Sequence, residues 1–371
     1  MSYNVRGLSD KTKRNEVFCW LKQKNAAIYY LSETHSTLEC EQIWKDEWSG
    51  EIIFSHFSSQ ARGTAILFKK DLPILIHASH ADSLGRCVIL DVEINGFRLT
   101  LCSVYAPNND DPNFFLSLSE QIEKYPNDNR IIAGDFNLIL DIDLDKRGGT
   151  RQTHAQALAV LKNYMEETEL VDIWRFQHPS EFRFTWHRNK PYKVSCRLDF
   201  FLINYGMTEK ITSTSIGAGF RSDHSPIFLS FLPFASMRGR GFWKLNCSLL
   251  SDTEYVQKIK KLIKSIAEDN FGTEPRLLWD TIKTVIRGES IKYSSSIKKS
   301  MNKKITQLEK SISELELQIN LTEDDQILNE QLEAMQIELS NIIKIKTKGA
   351  IIRSRLQNFE EGEKILHTFL I

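Results

Sequence analysis

The chain has no net charge: its 371 residues hold 48 Lys and Arg against 48 Asp and Glu. Bulk electrostatics therefore name no partner, and any binding surface must come from local asymmetry. Paired cysteines are also missing. Cys19, Cys40, Cys87, Cys102, Cys196 and Cys247 are dispersed, with no CxxC among them. That spacing excludes a zinc module built on thiolate pairs and argues against a disulfide scaffold, and it points to a reducing compartment. No apolar run approaches the roughly 18 residues that span a bilayer, and no apolar leader precedes the first polar motif. The expectation is a soluble, intracellular protein without a membrane partner. No repeat of solenoid length is visible.

What is present divides near Pro233. Up to there, short β-rich runs alternate with helical stretches. Residues 16–21 have helical spacing and lead into a strand at 27–31; further runs lie at 63–68, 86–94, 97–106, 130–136, 198–203 and 225–231. Asn95-Gly96 suits a tight type I′ hairpin turn between two alternating runs, which implies antiparallel pairing. Helices are expected at 113–125 and 154–170, the second with Ala157, Leu158, Leu161 and Met165 on one stripe. Sheets flanked by helices imply a layered α/β sandwich over residues 1–233. Beyond it, 237–241 is a basic, Gly-rich linker, and the remainder of 234–371 is almost wholly helical. Ile305, Leu308, Ile312, Leu315 and Ile319 form one heptad seam; Leu328, Leu332, Met335, Leu339 and Ile342 form another, with Thr322-Glu323-Asp324-Asp325 between them. A helical hairpin or a coiled-coil dimer through residues 305–342 would bury both seams.

Six segments in the first part carry chemistry. They are Tyr3-Asn4-Val5-Arg6-Gly7-Leu8, Ser32-Glu33-Thr34-His35, Ser103-Val104-Tyr105-Ala106-Pro107-Asn108, Gly134-Asp135-Phe136-Asn137, Arg197-Leu198-Asp199 and Ser222-Asp223-His224-Ser225-Pro226. In each, a polar group sits beside a β-branched or aromatic run, where a strand delivers it to a sheet edge. Phosphodiester cleavage needs a neutralised phosphate, an activated water and a stabilised leaving oxygen, and a divalent metal supplies much of this. Glu33 is the best ligand candidate, because a carboxylate just past an apolar strand is costly unless exposed or ion-bound. Magnesium suits such a site, taking one or two carboxylates plus water and phosphate. Taken alone, Glu33 also reads as a surface carboxylate. Asp135 and Asn137 share a face of an extended chain, placing a water-activating carboxylate beside an amide donor; a strand-end Asx turn explains the same pair. His224 follows Asp223 directly, so the two point to opposite faces, and Asp199 becomes the candidate for orienting the imidazole and raising its pKa.

Taken in order and spacing, the six segments resemble the endonuclease/exonuclease/phosphatase superfamily, specifically the apurinic-endonuclease-like nuclease domain of long interspersed element retrotransposons. The resemblance covers about residues 1–233. It implies a four-layer αββα sandwich, with Glu33 as principal metal ligand and Asn4 and Asp223 near metal and phosphate. It also implies that Asp135 with Asn137 positions the attacking water, that Tyr105 and Asn108 contact the phosphate region, and that Asp199 orients His224. Thr185, in Phe184-Thr185-Trp186, matches a position lining the family's DNA-facing edge. The implied cofactor is Mg2+, with Mn2+ as substitute. Implied partners are double-stranded DNA and element RNA, and the implied location is nucleus and cytoplasm. After Pro233, Phe242-Trp243-Lys244-Leu245-Asn246 and Gly362-Glu363-Lys364 resemble the linker that precedes reverse transcriptase in such elements; no Tyr-Ala-Asp-Asp-like motif occurs, so polymerase activity is not expected.

Several positions depart from the pattern. Only Met1-Ser2-Tyr3 precede Asn4, so the first strand is short and its ladder correspondingly weak. Ser32 stands where the family usually has Gln, Cys196 where Ser is common, and Arg6 where the repair enzymes carry Asp. Lys69, Lys70, Arg147 and Arg188 are candidate backbone contacts for DNA, though exposed basic residues are more often merely solvated. The leading expectation is a Mg-dependent endonuclease that nicks duplex DNA and leaves a 3′-hydroxyl for target-primed reverse transcription. Two alternatives stay open: a superfamily phosphatase, and a retroelement relic that only binds DNA or self-associates.

Overall fold

The computed structural model describes residues 1–125, 127–150, 154–188, 193–231, 245–321 and 326–346. In chain order the first elements are β1 (Ser2–Asn4), α1 (Lys11–Lys24), β2 (Ile28–Ser32), α2 (Glu41–Trp48), β3 (Ile52–Ser55), β4 (Thr64–Phe68), β5 (Ile74–Ala81), β6 (Cys87–Ile94) and β7 (Phe97–Tyr105). There follow α3 (Pro112–Ile122), β8 (Arg130–Asp135), β9 (Lys146–Arg147), α4 (Ala155–Glu167), β10 (Leu170–Asp172) and α5 (Ile173–Gln177). The sandwich closes with β11 (Trp186–Arg188), β12 (Val194–Cys196), β13 (Asp199–Asn204), β14 (Ile211–Ile216) and β15 (Ile227–Phe231). One sheet has the order β14-β15-β1-β2-β4-β3, the other β10-β13-β8-β7-β6-β5, and β11-β12-β9 form a small third sheet.

Local chemistry explains the joints. Asn95 (φ 52°) and Gly96 (φ 78°) make the left-handed turn that pairs Ile94 with Phe97 across β6 and β7. Asp111 caps α3 and Pro112 opens it, while the Ala157, Leu161 and Tyr164 stripe of α4 is buried. Ile28, Tyr30, Ile66 and Phe68 of the first sheet meet Leu99, Leu101, Ala133 and Phe201 of the second in one buried cluster. Each such apolar side chain contributes about 1.5–3 kcal/mol before ordering entropy is subtracted. The outer face of the second sheet packs Val104, Ile132 and Leu202 against Phe115, Leu118 and Leu161 of α3 and α4. On the outer face of the first, Tyr3 stands 5.2 Å from Trp20 of α1, and Tyr29 5.1 Å from Trp48 of α2. Helices thus cover both outer faces, giving the αββα sandwich.

β1 is short yet central. Ser2, Tyr3 and Asn4 pair in parallel with Tyr30, Leu31 and Ser32, and Ser2 also pairs with Ile227. Pairing then runs on beyond the strand, from Val5 N–H to Ser32 O (3.0 Å), Gly7 N–H to Glu33 O (2.7 Å) and Leu8 N–H to Thr34 O (2.9 Å). At about 1 kcal/mol per hydrogen bond, these offset much of what a longer ladder would contribute.

The chain divides into two compact units, Met1–Ser236 with Ile312–Ala334, and Met237–Ser311 with Met335–Ile371. The second is helical, built on α6 (Thr253–Asp269), most of α7 (Pro275–Leu321) and the later part of the helical residues 326–346. Within it Tyr255 and Ser290 share a hydroxyl hydrogen bond of 2.6 Å, and Lys304–Glu338 (2.7 Å) and Lys346–Asn302 (3.0 Å) link α7 to the following helix. Leu339 and Ile343 are buried there, so this seam closes one residue beyond the expected Ile342, as a helix of 3.6 residues per turn drifts past a strict heptad. The linker at 237–241, the interruption at 322–325, and the phrases at 242–244 and 362–364 lie outside the described residues.

Candidate active site

Five strand termini meet at one rim of the inter-sheet layer. β1 and β2 are parallel and end together at Asn4 and Ser32, β7 and β8 end together at Tyr105 and Asp135, and β13 begins at Asp199 opposite Asp135. The period of two turns Asn4, Tyr105, Asp135 and Asp199 inward, onto the face that Leu101, Ala133 and Phe201 fill deeper down. Between the aliphatic floor and the acidic rim lie the buried hydroxyls of Ser2, Ser32, Thr64 and Ser103. His224 arrives from the loop before β15, held by an isolated bridge to Trp186.

The side chains interlock. The Asn4 amide nitrogen donates to Asp135 Oδ2 (2.9 Å) and Glu33 Oε1 (3.2 Å) and lies 3.5 Å from His224 Nε2. Tyr105 donates its hydroxyl to the same Glu33 oxygen at 2.8 Å. His224 Nδ1 stands 2.9 Å from Asp199 Oδ2, and Nε2 stands 3.7 Å from Asp135 Oδ2. Ligand atoms of Asp135, Asp199 and His224 all fall within 4.8 Å of one another. The backbone is bent to make this fit: Arg6, Glu33 and Asn137, each just past a strand, sit in the left-handed region at φ 48°, 52° and 48°. Non-glycine residues pay for that conformation, and they cluster where function over-determines them.

Burial and charge set the protons. Burial pushes the Asp135 carboxyl up from its usual range, against the opposing pull of the His224 charge. Burial also disfavours the His224 imidazolium, but the carboxylates of Asp199 and Asp135 outweigh it and carry its pKa up to about 9. At neutral pH the ring is a cation aimed through Nε2 at the cluster. Burial, with the Glu33 charge beside it, keeps Tyr105 protonated as a donor.

The residues singled out in the sequence take distinct places. Glu33 is half-buried at the rim, and both of its side-chain hydrogen bonds converge on one oxygen. Such a carboxylate, in a set of oxygen donors, fits a hard divalent cation. Asn4 differs from the expected ligand: its oxygen accepts the Arg6 N–H (3.0 Å) and its nitrogen faces the carboxylates, so it bridges Glu33 to Asp135 as a donor. Asp223 stays outside the tight cluster, accepting from Trp186 Nε1 at 3.3 Å and lying 3.6 Å from Arg6. The Asn137 backbone N–H braces Asp135 Oδ1 (3.0 Å), and its amide donates to Ala106 O (2.9 Å). Asn108 is exposed past the end of β7 and does not join the cluster.

Thr185 is a correction. It is fully buried, so it cannot line a DNA-facing surface; its hydroxyl instead accepts the N–H groups of Leu198 (2.9 Å) and Asp199 (3.2 Å). Lys69 and Lys70 follow Phe68, which pairs with Ile28 at the end of β2 remote from Glu33, a position that fits the reading of solvated surface charge. Arg147 lies over the Phe182 ring. Cations that do feel the site are Lys13, lowered by burial and by Arg221 and Arg6, and Arg86, lowered by burial and by Arg62. Sequence reasoning also missed the support behind Asp199. Arg197 is buried between Trp174 and Phe200, forks onto both oxygens of Asp145 (2.8 and 2.7 Å) and reaches Asp172 at 2.6 Å. The one available signal was the arginine itself, adjacent to Leu198-Asp199, in a run otherwise fit for burial.

Comparison with known proteins agrees with this layout. The family model described as Endonuclease/Exonuclease/phosphatase matches residues 1–224. The chain is 29% identical over 360 residues to the uncharacterized 149 kDa protein of transposon TX1 from Xenopus laevis, across 95% of this chain but 27% of that protein. It thus spans about a quarter of that relative's length. It is 24% identical over 252 residues to an exodeoxyribonuclease of Bacillus subtilis, covering 62% of this chain and 97% of the enzyme. In fold it is similar to an AP endonuclease from Leishmania major (TM-score 0.54, 16% identity, 62% of this chain and 85% of that one). An AP endonuclease from Archaeoglobus fulgidus is similar too (TM-score 0.51, 19% identity, 62% and 98%). With its two helix-covered sheets, its strand-end cluster and a family match over most of the sandwich, the chain belongs to the endonuclease/exonuclease/phosphatase family.

Proposed function

We propose that this chain is a magnesium-dependent endonuclease that nicks double-stranded DNA, in the setting of a transposable element, and leaves a 3′-hydroxyl able to prime reverse transcription. Residues 1–233 would form the catalytic domain and 234–371 a helical extension. The observation that carries the proposal is the convergence of Asn4, Glu33, Tyr105, Asp135, Asp199 and His224 from distant parts of the chain onto one rim. The match to the transposon TX1 protein, which runs through the helical extension, favours the element setting.

The residues divide the work. Glu33, with Asp223 as an outer carboxylate, would hold the cation; when bound, the ion neutralises phosphate oxygens and the departing 3′-oxygen. Asp135, its carboxyl raised by burial and fixed by Asn4 and the Asn137 N–H, accepts the proton of the attacking water. His224, kept cationic by Asp199, donates from Nε2 to a phosphoryl oxygen as charge builds on it. The P–O3′ bond breaks and the departing 3′-oxygen takes a proton from solvent water, giving a 5′-phosphate and a 3′-hydroxyl. DNA contact would run mostly through phosphates and weaken with salt. The protein would act in the nucleus after synthesis in the cytoplasm.

The test uses supercoiled plasmid, Mg2+ and the full chain beside Asp135→Ala and His224→Ala. Nicking by the parent, lost in both variants and in EDTA, supports the proposal. Equal background in all three rejects catalysis, and phosphate release from a monoester without nicking would make the chain a phosphatase of the same family.

A further inference from the structure

The last turns of α7 that belong to the first compact unit, from Ile312 onward, lie against the sandwich. Ile312, Leu315 and Ile319 are buried. Two cations reach this segment: Arg183 donates to Ser313 O (3.1 Å) and Ser313 Oγ (3.3 Å) and faces Glu316 at 3.9 Å, and Lys193 donates to Ile319 O (3.3 Å). Arg183 is itself buried and also donates to Ile216 O (3.2 Å), where β14 ends beside Ile227. A guanidinium taken out of water needs this full set of acceptors, so the helix supplies partners that the sandwich alone does not.

Two residues on lies Thr185, which touches Asp199 directly and Ser225, the residue after His224. Its hydroxyl accepts the Leu198 and Asp199 N–H groups, its carbonyl accepts the Ser225 N–H at 2.6 Å, and the next residue, Trp186, bridges to His224. Segment 183–186 is therefore fixed at one end by the helix and at the other holds the orienting acid and the histidine. We infer that Arg183 is a positioning residue, clamped by residues 313–316 of the helical extension, and that this clamp sets the geometry of the Asp199–His224 pair. The stretch of the extension from Ile312 is then part of the catalytic unit.

The inference rests on the proposed nuclease activity for its kinetic readout, so a second readout independent of activity accompanies it. In the full chain, Glu316→Lys sets a cation against Arg183, Glu316→Gln is the neutral control, and Arg183→Met and Arg183→Lys remove or keep the charge. Glu316→Lys and Arg183→Met are expected to lower kcat about tenfold with KM within about twofold, as a sub-ångström misplacement of a catalytic pair does. Hydrogen exchange in peptides spanning 197–201 and 223–227 should rise about tenfold in the same variants, with β7 and β8 unchanged. Arg183→Lys and Glu316→Gln should stay near the parent on both. Unchanged local exchange in Glu316→Lys overturns the clamp, as does a uniform rise through β7 and β8, which marks general loosening. If the parent does not nick at all, the proposed function fails while the exchange result still decides the clamp.

Discussion

Replacing Asp199 with Asn isolates the charge that sustains the His224 imidazolium. The ring is buried, its Nδ1 lies 2.9 Å from Asp199, and its pKa stands at about 9 against an ordinary 6.5. At about 1.4 kcal/mol per pH unit, that difference is about 3 kcal/mol of folding stability. Its sign follows from linkage: a folded pKa above the unfolded one gives stability that is fully present below about pH 6.5 and is lost as pH rises through about 9. In Asp199→Asn burial acts on the ring with one carboxylate fewer opposing it, so most of the contribution disappears.

Urea unfolding in EDTA, run from pH 6 to 10, measures this without reference to catalysis. The parent should exceed Asp199→Asn by about 3 kcal/mol near pH 6.5, with the gap closing above pH 9. Asp223→Asn is the control, because Asp223 is partly exposed and leaves Nδ1 of His224 untouched. In the nicking assay Asp199→Asn should lose about 10²–10⁴ in kcat at pH 8 and recover part of it at pH 6, where the ring protonates again. A stability gap that stays constant across the pH range would refute the assignment of His224 as a cation held by Asp199.

Three other perturbations probe the surroundings. Arg197→Met leaves Asp172 buried without its cation and Asp145 with Arg175 alone, so stability at pH 7 should fall by about 3–5 kcal/mol and by less at pH 5; a loss under about 1 kcal/mol would mean the network is solvated. Gly134→Ala puts a Cβ 1.9 Å from Val104 O at φ 150°, which should cost at least about 2 kcal/mol and displace Asp135, read by melting and by nicking together. Tyr105→Phe removes a donor from Glu33, and a Mg2+ titration of nicking should show half-saturation shifted by about tenfold with the fold intact.

The long, strongly periodic elements were legible in the sequence. The Asn95-Gly96 hairpin, β8 and the α4 stripe follow from turn chemistry and from periods of 2 and 3.6. β5 and β14 were not, because Ile74–Ala81 is a half-exposed edge and Ile211–Ile216 is rich in Ser and Thr, so neither shows a clean buried run. The pairing of Asp199 with His224 was reachable by elimination, since Asp223 points away. Thr185, Asp145 and Asp172 were not reachable, because a short polar residue between strands looks the same whether it meets water or a buried amide. Their burial depends on Arg197 and on backbone far along the chain, information that no local window holds.

The site sits where local preference and global pairing disagree. Along β1, β2 and β8 every residue follows its strand's alternation until the last one, and the next residues, Val5-Arg6, Glu33 and Phe136-Asn137, leave the sheet through left-handed φ values that Arg, Glu and Asn adopt at a cost. Inside the layer the side chains change over the same few residues from aliphatic to hydroxyl to carboxylate, and each of the last group is expensive to bury singly. Neither expense is recovered within a strand. Both are offset only when β1, β2, β7, β8 and β13 terminate together, so that one asparagine amide serves two carboxylates and one histidine faces Asp199 and the same oxygen of Asp135. Substituting any single member should therefore disturb its neighbours more than its own contacts suggest, and double-variant cycles between Asn4 and Asp135 should be strongly non-additive, by about 0.5–3 kcal/mol. Additive losses would mean that the six side chains merely share a rim.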